Sequence, residues 1–300
     1  MLFTGLEPLP QPHTVLRSRR STLRFYLGDC VDVLAALDPA DISVVVTSPP
    51  YNLGVSYRTY QDSLPRADYL EWTSGWIQAV RRHLAPDGSL FLNVGAKPTD
   101  PWTAMEVAQT ARRHFELQNT IHWIKSIAID RDSAGAAVSL DDDIAVGHYK
   151  PINSPRFLND CHEFIFHFTP EGHTPLDRRA IGVKYQDASN IARWQNGGHN
   201  RRCRGNAWFI PYETIQSRDK DRPHPATFPP RVPEYCLKLH GLSRVKTAMD
   251  PFLGLGSTAV AAAQLGLNFI GIEMDEHYLA EAVGRTRSAI ESSDARDDGP

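Results

Sequence analysis

Two consecutive prolines, Pro49 and Pro50, stand two residues beyond the apolar run of residues 42–46, after Thr47 and Ser48. A short run rich in β-branched residues predicts a buried strand. Proline has no backbone N–H and a fixed φ, so two in a row cannot continue a sheet, and the strand must end in a stiff loop. The loop presents the Ser48 hydroxyl, several carbonyl oxygens and the Tyr51 ring. These groups suit a planar ring that bears an amino group, although a strand ended by proline beside an incidental tyrosine explains the segment equally well by itself.

A second segment, far along the chain, has the order strand, glycine-rich turn, helix. Gly254 and Gly256 follow a strand-like stretch at residues 243–249 and precede residues 259–265, which favour a helix. Glycines permit a positive φ and let a ligand approach the backbone, and the start of a helix offers N–H donors. The next apolar stretch ends in Glu273, where an acid can accept hydrogen bonds from ribose hydroxyls. The pattern predicts a site for a cofactor that contains a nucleoside.

The charge beside these glycines distinguishes between two cofactors. The dinucleotide fingerprint has a third glycine where this chain has Ala259, a change that the fingerprint tolerates. Asp250 precedes the glycines; its carboxylate would repel a pyrophosphate and attract an ammonium or sulfonium group. This favours S-adenosyl-L-methionine over a dinucleotide.

The two segments together resemble motifs of the amino DNA methyltransferases, which methylate N4 of cytosine or N6 of adenine. Ser-Pro-Pro-Tyr at residues 48–51 and Asp-Pro-Phe-x-Gly-x-Gly at residues 250–256 match the family's two main motifs. The target loop precedes the cofactor loop, which is the order of the permuted beta group. Further matches lie at residues 26–34, 119–125, 162–166 and 222–229, so the resemblance covers most of residues 23–283.

The resemblance implies an α/β fold, the Rossmann-like fold of methyltransferases that use S-adenosyl-L-methionine. We expect a mostly parallel, doubly wound sheet with a circularly permuted motif order and an inserted target-recognition region. The alternation of strands and helices within residues 23–124 favours the same sheet. The expected parts are an irregular N-terminal arm (1–22), a catalytic half (23–168), the target-recognition region (169–222), a cofactor-binding half (223–285) and a disordered tail (286–300).

In the catalytic loop, the resemblance assigns the chemistry to Ser48, Pro49, Pro50 and Tyr51. The Ser48 hydroxyl and a loop carbonyl, for which we choose Pro49, would accept the two N–H groups of the target amine. The base must leave the duplex to reach them, and the Tyr51 ring would stack on it. No cysteine nucleophile is needed.

On the cofactor side, we expect Asp29 to bind the adenine amine and Glu273 to bind the ribose. Asp29 also fits the cap of the following helix, and Glu273 also fits a solvated charge at a strand end. His224 belongs to a His-Pro motif that resembles the segment enclosing the methionine moiety, and it also fits a simple turn. The remaining expected cofactor contacts are Cys30, Asp250, Phe252, Gly254, Gly256 and Ser257.

The identity of the target base stays open between cytosine and adenine. By the resemblance, serine before Pro-Pro-Tyr goes mostly with N4 of cytosine, so Ser48 favours cytosine. Asn52, the residue after the tyrosine, also occurs in adenine enzymes and leaves N6 of adenine as the alternative. Two other classes also remain: a methyltransferase acting on RNA or on protein glutamine, and an inactive DNA-binding relative.

Charge is distributed unevenly along the chain. The net charge is −3, but residues 178–231 contain eleven Lys or Arg and four Asp or Glu, a net +7 that leaves −10 elsewhere. A basic segment on an acidic body is typical of a nucleic-acid-binding protein, and double-stranded DNA is the expected partner. The alternative is that this basic segment is a solvated loop with no role in binding. Within this segment the candidate DNA contacts are Arg193, Arg201, Arg202 and Arg204.

Several classes of protein are disfavoured. No apolar stretch is long enough for a membrane span, and the N-terminus lacks the pattern of a signal peptide. The spacing of His and Cys predicts no metal site.

A homodimer and a cognate restriction endonuclease are further expected partners. The four cysteines are far apart and predict free thiols in a cytoplasmic protein: Cys30, Cys161, Cys203 and Cys236.

Overall fold

The computed structural model describes residues 10–38, 42–55, 62–134, 141–147, 153–187, 189–193, 200–211 and 227–297. Its strands are β1 (Thr14–Arg17), β2 (Thr22–Leu27), β3 (Ile42–Thr47), β4 (Leu84–Val94), β5 (Glu116–Ile124), β6 (Ser126–Ile129), β7 (Ile144–Gly147), β8 (His162–Thr169), β9 (Ala207–Phe209), β10 (Thr247–Asp250) and β11 (Asn268–Glu273). Its α-helices are α1 (Cys30–Ala36), α2 (Arg66–His83), α3 (Trp102–Ala111), α4 (Ser189–Arg193), α5 (Arg231–His240), α6 (Ser257–Leu265) and α7 (Glu276–Asp297).

Within the described ranges, one large sheet has the strand order β1-β2-β11-β10-β3-β4-β8-β5-β9. Strands β2, β11, β10, β3 and β4 run parallel to one another. Strand β8 is antiparallel to β4 and β5, and β1 is antiparallel to β2. Strands β6 and β7 form a separate hairpin. The mostly parallel sheet predicted from the sequence is confirmed.

Strands β3 and β10 are neighbours, although about two hundred residues separate them in the sequence. Val44 pairs with Ala248 and Val45 with Met249 in parallel register. Every residue of β3 is buried, as expected for a central strand that is covered on both faces. Because the strands are parallel, the loops that follow them leave the same edge of the sheet.

Helices cover both faces of the sheet, which confirms the doubly wound arrangement. On one face α5, α6 and α7 share a core with Val44, Val46 and Phe91. On the other face α1, α2 and α3 pack against Val45, Leu90 and neighbouring residues. Helix α6 reaches the sheet closely because its buried positions are mostly alanine. None of the helices in the described ranges has the length and apolar character needed to cross a bilayer.

Parts of the expected irregular arm and disordered tail that lie within the described residues contain regular structure. Within residues 1–22, strand β1 adds an edge to the sheet. Helix α7 continues to residue 297, with Ala289 and Ile290 buried in the core. The tail is polar in composition, so its sequence did not predict a helix. Good helix formers and two buried apolar residues are nevertheless enough to form the helix and pack it against the core. The ends also meet: Arg20 Nη2 donates to Ser293 Oγ at 3.3 Å.

Candidate active site

A cavity opens at the carboxyl edge of β3 and β10. Ser48 and Pro50 line it from the loop after β3, and Asp250, Phe252 and Gly254 line it at the end of β10 and in the following loop. The two segments that the sequence singled out therefore face one space. In open α/β sheets, ligands bind beyond the carboxyl ends of the strands.

Asp250 ties the two loops together. Thr47 Oγ1 donates to Asp250 Oδ1 at 2.7 Å, Thr258 Oγ1 donates to Oδ2 at 2.7 Å, and the Phe252 N–H donates to Oδ1 at 3.1 Å. Burial raises the pKa of Asp250 to about 6, against the opposing effect of the hydrogen bonds from Thr258 and Thr47. Asp250 lines the cavity, but its side chain is committed to holding β3, β10 and α6 in register. The sequence suggested its charge and did not reveal this role.

The glycine loop is shaped by two left-handed residues. Gly254 has φ 50° and Gly256 has φ 78°. A Cβ on Gly256 would lie 2.8 Å from Cβ of Ala282 in α7. A side chain there is excluded both by the positive φ and by this contact. Gly256 begins α6 without a side-chain cap, and it does not line the cavity. Of the two glycines, the structure brings only Gly254 to the cavity wall, and Gly256 instead lets α6 start close to α7.

Two carboxylates also line the cavity: Asp29, which follows β2, and Glu273, the last residue of β11. Glu273 Oε2 accepts the Gly254 N–H at 2.8 Å, while Oε1 accepts two backbone N–H groups at 3.0 Å each. Burial raises the pKa of Glu273. Asp29 Oδ1 caps α1 by accepting the Val31 N–H at 2.7 Å. A carboxylate has about four acceptor sites, so each acid can also serve a ligand.

An aromatic wall completes the cavity. The rings of Trp72 and Phe252 meet edge to face with centroids 5.6 Å apart, and Trp76 packs on Phe252 at 5.1 Å. Trp72 lines the cavity from α2, and Tyr278 lines it from α7. Neither residue was predicted from the sequence, because an aromatic residue on an amphipathic helix has the pattern of any core residue. Cys30 and Ser257 line the cavity as expected, with Thr227 and Phe228 from the end of the His-Pro motif.

The hydroxyl of Tyr51 lies at the centre of a polar cluster beside the cavity. It is 2.5 Å from Ser48 Oγ and donates to Glu163 Oε2 at 3.2 Å. Asn93 Nδ2 donates to the Tyr51 oxygen and, at 2.6 Å, to Glu163 Oε2. Lys125 Nζ is 3.0 Å from Glu163 Oε1. Lys125 and Glu163 lie in stretches that resemble the family, but nothing in the sequence showed that they meet Tyr51.

The loop after Tyr51 is closed by Asn52 and Asp62. Asn52 has φ 58°, a conformation that asparagine tolerates better than most residues. Its Nδ2 donates to the Leu64 carbonyl at 2.8 Å, and its Oδ1 accepts the Leu64 N–H at 2.6 Å. The Asp62 carboxylate accepts the N–H groups of Asn52, Leu53 and Val55 at 2.7–3.0 Å. Asn52 is therefore a structural residue of the catalytic loop.

The four candidate DNA contacts separate into two kinds. Arg204 Nε donates to the Ile181 carbonyl at 2.9 Å, and its guanidinium lies 4.9 Å from the ring centre of Tyr235. Arg201 Nη1 donates to a backbone carbonyl at 2.8 Å. Arg193, at the end of α4, and Arg202, in the segment before β9, are exposed, as is Arg201. His224, expected near the cofactor, lies outside the described residues, as do residues 194–199 and 212–226.

Comparison with known proteins agrees with this geometry. The family model described as DNA methylase matches residues 42–284. The chain is similar to M.ScaI, a Type II methyltransferase from Streptomyces caespitosus, with 26% identity over 279 residues that cover 91% of this chain and 84% of M.ScaI.

Two solved structures share the fold. The cytosine-N4-specific PvuII DNA methyltransferase matches with a TM-score of 0.61 and 17% identity, over 95% of this chain and 94% of its own. The Thermus thermophilus protein TTHA0409, solved in complex with S-adenosyl-L-methionine, matches with a TM-score of 0.56 and 22% identity, over 89% of this chain and 94% of its own.

Proposed function

The chain belongs to the DNA methylase family, and from this premise we propose that it transfers a methyl group from S-adenosyl-L-methionine to N4 of a cytosine in double-stranded DNA. The observation that carries the proposal is the cavity shared by Ser48 and the loop around Gly254. Methyl transfer requires donor and acceptor to meet within a few ångströms, and adjacent parallel strands bring these two loops to one place.

The cavity wall fits S-adenosyl-L-methionine. Asp29 and Glu273 keep acceptor sites for the adenine amine and the ribose hydroxyls. The faces of Trp72 and Phe252 suit a flat ring or a cationic sulfur. When bound, the cofactor supplies an electrophilic methyl group. The relative TTHA0409 has been solved with this molecule, which supports the same assignment here.

The acceptor side would hold the amine with two oxygens. The family resemblance favours the Pro49 carbonyl as the second acceptor beside Ser48, and the Pro50 carbonyl accepts the hydroxyl of Tyr69 at 3.0 Å. Two acceptors on the amine hydrogens would favour a tetrahedral nitrogen whose lone pair is no longer conjugated into the base. The base must be flipped out of the duplex, which costs a few kcal/mol. The Tyr51 ring, anchored through its hydroxyl, is the proposed stacking surface.

We choose cytosine over adenine for two reasons. Ser48 occupies the position that, by family resemblance, goes mostly with N4 of cytosine, and the fold matches a methyltransferase described as cytosine-N4-specific. Asn52, which kept adenine open, uses both polar atoms of its side chain on the Leu64 backbone. It is therefore explained by loop shape and gives no separate support to adenine.

We further propose that residues 169–222 recognise the DNA sequence and that Arg193 and Arg202 contact phosphates. Both side chains are exposed. Arg201 and Arg204 would shape the segment that carries them. A homodimer and a cognate endonuclease remain predictions.

Nucleoside analysis tests the proposed function directly. Duplex DNA treated with the protein and S-adenosyl-L-methionine is digested and its nucleosides are separated, with Ser48→Ala protein as the matched control. We expect N4-methylcytosine from the parental protein and none from the variant. N6-methyladenine without N4-methylcytosine would overturn the choice of base. Methyl groups entering RNA or protein but not DNA would overturn the substrate class.

A further inference from the structure

The hydrogen bonds around Tyr51 have a fixed direction. A phenol has one hydrogen, and Tyr51 donates it to Glu163 Oε2, since an ionised carboxylate can only accept. Asn93 Nδ2 also donates to the Tyr51 oxygen. The contact of 2.5 Å between Tyr51 and Ser48 must therefore use the hydrogen of Ser48. Ser48 is left with lone pairs to offer to the target amine.

The orientation of Asn93 supports this direction. Its Nδ2 lies 2.6 Å from Glu163 Oε2, and the reversed amide would place an oxygen against the carboxylate. Asn93 is 1% exposed, and its Oδ1 is buried without a hydrogen-bond partner among the described residues. The protein leaves this acceptor unsatisfied while Asn93 Nδ2 donates to both Tyr51 and Glu163. The cost of this unsatisfied acceptor indicates that the direction of the hydrogen bonds in the cluster is important for its function.

Lys125 and neighbouring titratable side chains set the electrostatic environment of the Glu163 carboxylate. The ammonium of Lys125 is 3.0 Å from Glu163 Oε1, and both side chains are mostly buried, at 18% and 13% exposure. Asp160 and His162 are further titratable groups near Glu163, and burial shifts the pKa of each, up for Asp160 and down for His162. Lys125 compensates the negative charge on Glu163 where solvent access is low.

We propose that Glu163 accepts, through Tyr51 and Ser48, the proton that the target amine loses on methylation; the inference rests on the proposed function. The amine lone pair forms the new N–C bond, and the C–S bond breaks with its electron pair left on sulfur. An amine proton passes to Ser48 Oγ, the Ser48 hydrogen to the Tyr51 oxygen, and the Tyr51 hydrogen to Glu163 Oε2. Ser48 and Tyr51 are regenerated, and Glu163 becomes a neutral acid that returns its proton to water.

Nuclear magnetic resonance tests the coupling without any turnover. In protein labelled with ¹³C at tyrosine Cζ, Tyr51 is assigned by the signal that Tyr51→Phe lacks. We expect this signal to move in Glu163→Gln, because the Tyr51 hydroxyl then loses its charged acceptor. It should keep its parental position in Asp160→Asn and His162→Gln. A Tyr51 signal unchanged in Glu163→Gln, or displaced as far in either control, would overturn the proposal.

Single-turnover methyl transfer tests the role in catalysis. Glu163→Gln keeps the side-chain shape and should slow the step about 100-fold, the lower end for a lost general base. Tyr51→Phe should slow it similarly, and the double variant should be no slower than the slower single variant, because both cut one chain. S-adenosyl-L-methionine should bind all variants within about twofold of parental affinity.

The pH dependence separates this role from a merely structural one. The parental rate should rise with pH over a range in which the rate of Glu163→Gln stays flat. An active parental protein with Glu163→Gln at the parental rate refutes the inference alone. A parental protein whose Tyr51 signal responds to Glu163→Gln but that methylates no DNA refutes the proposed function and, with it, the role of Glu163.

Discussion

Thr47 donates a hydrogen bond of 2.7 Å to Asp250, and this bond joins the last residue of β3 to the last residue of β10. The catalytic loop begins one residue after Thr47, and the glycine loop begins one residue after Asp250. Thr258 holds the other carboxylate oxygen from α6. The distance between the two loops is therefore set by a buried contact below the cavity, before any ligand arrives.

Asp250 makes the stability of the protein depend on pH. Burial raises its pKa from 3.8 to about 6, so between these values the folded protein holds a proton that the unfolded chain has lost. Its contribution is complete below pH 3.8 and is lost as the pH rises through about 6, a loss of about 3 kcal/mol in the free energy of unfolding.

Asp250→Asn should remove this dependence while it keeps the shape of the side chain. The Thr258 hydroxyl can turn to the Val46 carbonyl, 3.3 Å away, and accept from the new amide. We expect urea unfolding from about pH 4 to pH 8 to show a flatter profile for the variant, with its largest relative gain at the alkaline end. Parallel profiles for the two proteins would mean that Asp250 is ionised throughout.

Gly95 supports the Tyr51 cluster by having no side chain. A Cβ there would lie 3.1 Å from Tyr51 Cε2 and 3.4 Å from Glu163 Cδ. Gly95→Ala should displace both groups by a few tenths of an ångström and slow methyl transfer about tenfold, since small misplacements of reacting groups are costly.

The matched control is Gly75→Ala in the middle of α2. No described atom lies within 4 Å of its added Cβ. This variant should keep the parental rate and gain about 0.5–1 kcal/mol in the free energy of unfolding. Equal rates for the two variants would show that Tyr51 does not need its present position.

Gly256 and Gly205 share a positive φ but differ in their surroundings. Gly205 has φ 85° and no described atom within 4 Å of an added Cβ, whereas at Gly256 that atom would lie 2.8 Å from Ala282. Gly205→Ala should cost about 1 kcal/mol of backbone strain. Gly256→Ala should cost more and weaken binding of S-adenosyl-L-methionine. Thermal unfolding and calorimetry measure both effects, and equal costs would mean that α7 yields to the methyl group.

Arg202 and Arg204 should respond differently to removal. Arg202→Ala removes an exposed charge, so the slope of log affinity for DNA against log salt should fall by about 1 without loss of stability. Arg204→Ala removes a hydrogen bond to Ile181 and the contact with Tyr235, and should cost about 1–2 kcal/mol of stability. If Arg204→Ala changes only the salt slope, the roles assigned to the two residues are reversed.

The parts of the site that the sequence predicted are those controlled by local backbone rules. Pro49 and Pro50 end β3, and Gly254 turns the chain after β10, because φ and the missing donor or Cβ act on neighbouring residues. Side-chain partners obey no such rule. Glu163 is 112 residues from Tyr51 and 38 from Lys125, and only the pairing of β8 with β4 and β5 brings them together.

The same reasoning applies to two contacts that the sequence did not reveal. Asp250 was expected to act by its charge on a ligand, and its buried partner Thr47, 203 residues away in sequence, could not be foreseen. Arg204 was predicted as a DNA contact because its sequence neighbours are basic. Its packing on Tyr235 of α5 depends on tertiary structure alone.

The contact between Arg20 and Ser293 has a consequence for how such a gene can be arranged. Since the first strands and the last helix already touch, a short bridge at that point and a new opening elsewhere would reorder the coding segments while every wall of the cleft stayed in place. The geometry of the cleft therefore does not dictate which of the two loops comes first in the sequence.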